Sequence, residues 1–214
     1  GRLAGGVAHE IRNPLNAISI AAQRLARKYP DPMMGVVREE IRRLNDILEE
    51  FLTVARRREL ALRPGDLCAA AEDVTALMAE AAANGDVSIE TTWSLNPCPA
   101  VLDPDRMKQA ILNLVKNALE ATPPGGTVRL ATRERGRNRV ALTVSDTGAG
   151  IEPAHADRVF DLDFTTKERG VGLGLPLAHE IIRGHGGELR LGETSSKGTI
   201  FEIVLPRVKK GDET

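Results

Sequence analysis

A histidine with an acidic neighbour, and an amide one helical turn away, lies near the start of the chain. Apolar residues spaced by three or four predict a helix here, and at ~100° per residue His9 lies ~200° from Val7, away from the apolar face. Glu10 can accept a proton from the imidazole and so raise the nucleophilicity of its other nitrogen. Asn13 shares the face of His9, and Pro14 removes a backbone donor just beyond it. A lone histidine usually has a surface or structural role, but an exposed imidazole in this setting can act as a nucleophile toward phosphorus.

Two asparagines form a second candidate site. Asn113 and Asn117 are four residues apart on a helix predicted from Asp103 to Ala121, so their amides share one face. Asp103 is the predicted N-cap, and Pro104 suits the first helical position. Such a pair is often only an exposed polar face, yet amide oxygens are also hard neutral ligands suited to Mg²⁺ that bridges phosphates.

Glycine-rich turns provide a third candidate site. Asp146-Thr147-Gly148-Ala149-Gly150 follows a predicted strand, where a carboxylate can accept a hydrogen bond from the amine of adenine and glycines let the backbone approach a ring. The same pattern also occurs in ordinary turns. Gly170-Val171-Gly172-Leu173-Gly174 enters a predicted helix whose N–H groups can face phosphates, although its spacing does not meet the dinucleotide fingerprint.

The elements that must carry the histidine are two helices within residues 1–62, separated by Tyr29-Pro30-Asp31-Pro32. The second helix has a heptad seam formed by Ile41, Leu44, Leu48, Phe51 and Ala55. Two helices alone cannot enclose a core, so we expect two hairpins to associate as a dimeric four-helix bundle through residues 1–62.

A linker at Arg63-Pro64-Gly65-Asp66 is predicted to separate this hairpin from a second domain over residues 67–214. The second domain mixes helices (67–83, 103–121 and 173–184) with strands (87–93, 127–133, 139–145, 188–191 and 199–205). This mixture of helices and strands predicts an α+β protein whose second part is an α/β sandwich, a sheet with helices on one face.

Composition excludes several classes of protein. The 214 residues are 42% apolar and 28% charged, which rules out a disordered tail or a collagen-like fibre. Only 3% are aromatic and the net charge is −1, so a general nucleic-acid binder is disfavoured. Cys68 and Cys98 lack zinc-ligand spacing and are predicted to be buried thiols. With no apolar run of ~20 residues and no signal peptide, we expect a cytoplasmic fragment and leave open a membrane anchor in a longer parent.

The segment from Gly6 to Leu15 resembles the H-box of the sensor histidine kinases of two-component systems. The resemblance implies that His9 is the phospho-acceptor and Glu10 its general base. It also implies that Glu10 and Asn13, as an acid-x-x-Asn element, serve to dephosphorylate the partner protein.

Asn113-Leu114-Val115-Lys116-Asn117-Ala118 resembles the N-box of the same family, which implies that Asn117 is the magnesium ligand and Asn113 its helper. Glu120 stands where many members have a phosphate-binding lysine, so Lys116 or Lys167 is expected to supply that charge. Gyrase-type ATPases usually have a catalytic Glu at the position of Asn113, which argues against water-activating ATP hydrolysis.

The remaining boxes follow in family order. Asp146 resembles the adenine-reading residue of the G1 box, and Thr199 is expected beside it. Phe164-Thr165-Thr166-Lys167 resembles the lid of the nitrogen-regulation class, although Leu162 and Asp163 replace its usual Pro and Phe. The residues implied to bind the nucleotide are Asn113, Lys116, Asn117, Asp146, Gly148, Gly150, Thr165, Thr166, Lys167, Gly170, Gly172, Gly174 and Thr199.

The resemblance implies an ATP- and Mg²⁺-dependent autokinase in which the second domain swings on the linker toward His9. The phosphoryl group would then pass to an aspartate of a response regulator, and the chain would also act as a phosphatase. A nucleotide-binding scaffold without turnover and a gyrase-like ATPase are the alternatives. Two further features are read as surface, namely a basic helix end and histidines without metal-ligand spacing: Arg56-Arg57-Arg58, His155, His179 and His185.

Overall fold

The computed structural model divides the chain into two compact units, Gly1–Glu59 and Leu60–Thr214. The described residues are 2–28, 33–38, 40, 41, 44, 59–162, 164, 165 and 172–208, with the backbone alone at 2–13 and 28. A helical part followed by a mixed α/β part confirms the predicted fold class, while the predicted domain bounds stay a prediction.

The first unit contains a long helix, α1 (Arg2–Lys28), that buries one side of its apolar face. Leu15 and Ala22 are 9% and 4% exposed, whereas Ile18 and Leu25 are 50% and 47% exposed. At ~100° per residue, Ile18 and Leu25 lie about 60° and 80° around the helix from Leu15. A single copy of the chain therefore covers one side of the apolar face of α1 and leaves the adjoining side exposed.

Residues 33–38 are helical, as are residues 40, 41 and 44, which agrees with the predicted second helix. Ile41, the first residue of the predicted heptad seam, is 6% exposed, whereas Leu44 is 42% exposed. The other seam residues, Leu48, Phe51 and Ala55, lie outside the described residues, as does the basic run at 56–58.

The second unit is a sheet covered by three helices. Its elements, in chain order, are β1 (Arg63–Asp66), α2 (Leu67–Asn84), β2 (Ser88–Trp93), β3 (Pro99–Leu102), α3 (Pro104–Ala121), β4 (Thr127–Glu134), β5 (Arg139–Asp146), a 3₁₀ helix (Pro153–Arg158), α4 (Gly174–Gly184), β6 (Glu188–Ser195) and β7 (Gly198–Pro206). Five strands form the main sheet in the order β2-β4-β5-β7-β6. Strand β2 runs parallel to β4, and the other neighbouring pairs are antiparallel.

The core lies between this sheet and the helices. Alternate residues of β5, Val140, Leu142 and Val144, are at most 1% exposed and belong to one apolar cluster with Leu114 of α3 and Ile182 of α4. The cluster is almost wholly aliphatic, with Phe201 as its buried aromatic residue, which agrees with the scarcity of aromatic residues in the chain. Its helices bury the faces that their apolar periodicity indicates.

The segment predicted to be a linker is a strand instead. Arg63–Asp66 forms β1, which pairs antiparallel with β3, and the Asp66 carboxylate accepts hydrogen bonds from the backbone nitrogens of Cys68 and Cys98, both at 2.9 Å. Just before it, the Ala61 nitrogen donates to Asp103 Oδ2 at 3.0 Å, and Leu60 packs over Gly184, where an added Cβ would lie 2.8 Å from Leu60 Cδ1. Residues 63–66 therefore belong to a strand pair of the second unit, because they pair with residues 99–102, whereas the swing of the second domain toward His9 stays a prediction.

His185 was also wrongly predicted, as a surface residue, since it is only 3% exposed. Its Nε2 accepts a hydrogen bond from the Asp103 nitrogen at 3.0 Å, and its Nδ1 donates to the Ile181 carbonyl at 2.7 Å. Asp103 in turn caps α3, because its Oδ1 accepts from the Arg106 nitrogen at 3.2 Å. The predicted N-cap is thus confirmed, and it joins the start of α3 to the end of α4.

Cys68 and Cys98 are buried, unpaired thiols, as predicted. Burial raises the pKa of Cys98 to about 12 and also raises the pKa of Cys68. In the described part of the chain, no helix has the length and apolar character needed to cross a bilayer.

Candidate functional site

The proposed phospho-acceptor segment lies on α1. The backbone is helical from Arg2 to Lys28, so His9 and Asn13, four residues apart, share one face of it. The helix continues through Pro14, which cannot donate the backbone bond to the Glu10 carbonyl. The side chains of His9, Glu10 and Asn13 lie outside the described part of the structure.

Asp146, the last residue of β5, supplies a fixed acceptor in the second unit. Its Oδ1 accepts hydrogen bonds from the backbone nitrogens of Gly148 at 2.8 Å and Thr199 at 3.2 Å. Burial raises the pKa of Asp146, and these two hydrogen bonds act against that rise without cancelling it. Because both bonds go to Oδ1, the orientation of the carboxylate is set and Oδ2 is the oxygen left to meet a ligand.

Gly148 and Gly150, in the loop after Asp146, let that loop lie closer to neighbouring backbone than a side chain would allow. A Cβ on Gly148 would lie 2.4 Å from the carbonyl oxygen of Ala121, at the end of α3. Gly150 has a φ of +77°, and a Cβ there would lie 1.9 Å from the Ser195 carbonyl oxygen. Glycine is therefore required at both positions to hold the loop against α3 and β6.

Helix α3 also contacts the start of α4, the predicted phosphate-binding end. Asn113 is half-buried, and its Nδ2 donates to the carbonyl oxygen of Gly174 at 3.0 Å. The N-cap residue of α4, Leu173, makes no side-chain hydrogen bond to the helix, so its own side chain does not cap the N–H groups of the first turn. Gly172 precedes this end in a left-handed conformation, with φ +72°.

The two contacts of α3 set the length of the site. Asn113 contacts the start of α4, and Ala121 contacts the loop after Asp146, eight residues further along the helix. At ~1.5 Å per residue the contacts are about 12 Å apart along α3, a length that suits a nucleotide with its phosphates. Asn117 lies between them and is half-buried, whereas Lys116 is exposed.

The lid predicted between the two glycine boxes is only partly described. Phe160 stacks on His179 of α4, with ring centroids 5.0 Å apart, and packs edge-on against Phe201 at 6.2 Å. The ring centroids of Phe164 and His155 are 5.3 Å apart, and Arg158 Cζ lies over the face of the Phe164 ring, 4.8 Å from its centroid. Thr165 is exposed, and the remaining predicted lid and glycine residues lie outside the described residues: Asp163, Thr166, Lys167 and Gly170.

The sequence analysis did not identify Thr194, whose hydroxyl contacts that of Thr199. The Ile151 nitrogen donates to Thr194 Oγ1 at 2.8 Å, and Thr194 Oγ1 is 3.3 Å from Thr199 Oγ1. Thr199 is 4% exposed and lies beside Asp146 through its backbone nitrogen. The sequence does not indicate that Thr194 contacts Thr199 and Ile151, because these contacts depend on a register shift in β6 between Leu191 and Thr194.

Of the predicted nucleotide residues, the structure therefore joins Asp146, Gly148 and Thr199 in one group. It joins Asn113 and Gly174 in another, and in the described residues Lys116 makes no hydrogen bond or ion pair with either group. A half-buried carboxylate at one end and an uncapped helix N-terminus at the other can bind a molecule with a base and an anionic tail.

Two family models match the chain. The model for histidine kinase-, DNA gyrase B-, and HSP90-like ATPases matches residues 102–209, and the His Kinase A (phospho-acceptor) domain model matches residues 1–60. The sensor histidine kinase ZraS of Salmonella typhimurium is 35% identical over 98% of this chain, and the chain spans 46% of that protein.

Solved structures give the same likeness. A crystal structure of full-length ShkA in complex with AMPPNP has a TM-score of 0.83 and 26% identity, over 99% of this chain and 47% of that one. The histidine kinase ThkA, in complex with the response regulator protein TrrA, has a TM-score of 0.72 and 27% identity, over 97% of this chain and 62% of that one.

Proposed function

This chain belongs to the sensor histidine kinases of two-component systems, and from that premise we propose that it transfers the γ-phosphoryl group of ATP to its own His9. One observation carries the proposal. A helix matched by the phospho-acceptor model and a unit with a fixed adenine-type acceptor, Asp146, occur in a single chain.

The geometry of the second unit supports ATP as the nucleotide. Asp146 Oδ2 would accept from the amine of adenine, and the loop held by Gly148 would let the base lie against the backbone. The phosphates would then extend along α3 toward the N-terminal end of α4 at Gly174, where first-turn N–H groups that the Leu173 side chain does not cap and the helix dipole favour negative charge.

We propose that Asn117, helped by Asn113, would hold Mg²⁺ on the phosphates. The donor set fits this ion: Asn113 uses its Nδ2 on the Gly174 carbonyl, which leaves its amide oxygen, a hard neutral ligand, for the site. When bound, the ion would supply neutralisation of the phosphate charge.

The chemistry at His9 would be a direct phosphoryl transfer. An imidazole nitrogen of His9 would attack the γ-phosphorus, the P–O bond to ADP would break, and Glu10 would take the imidazole proton. The phosphoryl group would next pass to a carboxylate oxygen of a response-regulator aspartate, with His9 as the leaving group. The acid-x-x-Asn pair of Glu10 and Asn13 supports an additional phosphatase role toward that regulator.

The open side of α1 supports a homodimer through residues 1–62. Ile18 and Leu25 on that side are about half exposed in one copy. Burying such a stripe against a second copy would complete the core that one hairpin leaves unfinished.

Acid-labile autophosphorylation of the whole chain tests the proposal. With labelled ATP and Mg²⁺, the wild type should incorporate acid-labile label, and His9→Gln should incorporate none while it still binds nucleotide. Asn117→Ala should lose only the magnesium-dependent part of nucleotide binding. Equal labelling of His9→Gln would refute the acceptor, whereas a wild type that binds ATP but never labels would indicate a nucleotide-binding scaffold.

A further inference from the structure

Cys68 and Cys98, which are distant in the sequence, lie side by side where β1, α2 and β3 meet. The Asp66 oxygen Oδ1 accepts hydrogen bonds from the backbone nitrogens of both cysteines, each at 2.9 Å. The Leu67 nitrogen, next to Cys68, donates to the Cys98 carbonyl at 2.9 Å. Two donors that share one acceptor atom at this distance are at most about 6 Å apart. This separation of the backbones is compatible with a disulfide, whose Cα atoms are about 4.4–6.8 Å apart.

The two side chains are buried together in the core of the second unit. Cys68 is 1% exposed and Cys98 0%. Cys68 Sγ donates to the Leu95 carbonyl at 3.0 Å and lies 3.5 Å from Thr132 Oγ1. Burial is the largest cause of the raised pKa of each thiol, and a hydrogen bond between the two cysteine side chains also acts on both pKa values. The sulfur atoms as well as the backbones are therefore within reach of each other.

Burial protects this pair of thiols while the native contacts are in place. A thiol attacks a disulfide as the thiolate, and a buried, protonated thiol is a poor nucleophile. Reaction with a reagent therefore requires a local opening in which the start of α2 separates from β3 and the two hydrogen bonds to Asp66 break. The strands that hold this region are short, since β1 and β3 have four residues each. We therefore expect the thiols to react slowly in buffer and faster in urea.

We propose that Cys68 and Cys98 are a modification site, a dithiol that a small-molecule disulfide oxidises to an intramolecular disulfide. One cysteine, as the thiolate, attacks the reagent and forms a mixed disulfide, and one reagent thiolate leaves and takes the proton. The other cysteine then attacks the protein sulfur of the mixed disulfide, the Cys68–Cys98 bond forms, and the second reagent thiol leaves. The chain loses two electrons and two protons, which the reagent gains.

The new bond would act on the attachment of β1. Cys68 follows the last residue of β1 by two positions, and Cys98 directly precedes β3. A covalent link between them would join the start of α2 to the start of β3 and so reinforce the pairing of β1 with β3.

The test treats the full chain with oxidised glutathione at pH 8, in buffer and at the urea midpoint, followed by dilution into buffer. After acid quenching, the remaining thiols are alkylated under denaturing conditions. Intact mass then distinguishes the intramolecular disulfide, which loses two hydrogens and takes up no label, from glutathione adducts and from cross-linked chains. Cys68→Ser and Cys98→Ser are the matched controls, because each keeps one thiol and can form only an adduct or a bond between chains. Fluorescence of the single tryptophan, Trp93, checks that each variant is folded.

We expect the wild type to form the intramolecular bond, faster at the urea midpoint than in buffer. The oxidised chain should unfold at a urea midpoint about 1–2 M higher than that of the reduced chain, because the bond restricts the unfolded chain over residues 68–98. Dithiothreitol should reverse this shift, and neither serine variant should show it. Adducts or cross-linked chains without the intramolecular bond would overturn the proposal. So would an oxidised midpoint equal to or below the reduced one, since the folded geometry would then not accept the bond.

Discussion

Replacing buried His185 by leucine should destabilise the second unit by about 2–4 kcal/mol. Leucine has a similar size but neither accepts nor donates, so the Asp103 N–H would be buried without a partner, at a cost of about 1–3 kcal/mol. The bond to the Ile181 carbonyl would be lost as well, worth roughly 0.5–1.5 kcal/mol, although that carbonyl still accepts from the His185 backbone nitrogen at 3.2 Å.

Glutamine at the same position separates the hydrogen bond from the shape of the ring. In His185→Gln, the glutamine Oε1 can take the place of Nε2 as acceptor for the Asp103 nitrogen. We therefore expect this variant to lose about half as much stability as His185→Leu. Arg183→Leu is the control at the same helix end, because the Arg183 side chain is 65% exposed and its ion pair with Glu180 lies at the surface. It should change stability by at most about 0.5 kcal/mol.

Urea unfolding followed by tryptophan fluorescence measures these effects in the second unit alone. Trp93 is the only tryptophan of the chain, and it packs against the core of that unit. With a slope of about 2 kcal/mol per molar urea, His185→Leu should lower the midpoint by about 1–2 M. Equal midpoints for the leucine and glutamine variants would refute the argument that the acceptor matters, and a wild-type midpoint for His185→Leu would refute the argument for the whole contact.

Two further predictions concern the thiols and the first unit. Because burial raises the pKa of Cys98 to about 12 and also raises that of Cys68, both thiols stay protonated at pH 8, and alkylation by iodoacetamide should track urea unfolding; rapid labelling of the native chain would contradict this. Since Ile18 and Leu25 leave an open apolar side on α1, light scattering at micromolar concentration should give the mass of a dimer, and the double change Ile18→Glu and Leu25→Glu should give that of a monomer. A monomeric wild type would show that the open side has another role.

Local chemistry predicted the elements whose signals lie within a few residues. Asp103 followed by Pro104 predicts the start of α3, and the structure has the helix beginning there with the carboxylate capping it. Asp146 directly after a strand predicts an acceptor at a strand end, and its two backbone hydrogen bonds agree with that placement.

The errors concern contacts between residues that are distant in sequence. Strand β1 contains a proline and a glycine and reads as a linker, and only its pairing with β3 makes it a strand. His185 stands before two glycines at a helix end, which indicates a loop, and its partner Asp103 is 82 residues away. Asn113 fits a ligand role from its spacing, but its contact with Gly174 spans 61 residues and has no local signature.

The attachment of residues 60–66 to the second unit has a mechanical consequence. A free tether of seven residues could extend by up to about 25 Å and would absorb a twist as slack. Here three contacts hold the segment in place and leave it little freedom to extend: the bond from Ala61 to Asp103, the packing of Leu60 over Gly184, and the pairing of β1 with β3. A rotation imposed on the chain at Leu60 would therefore act on the capped end of α3, the helix that contains Asn113 and Asn117. A flexible tether would not transmit it.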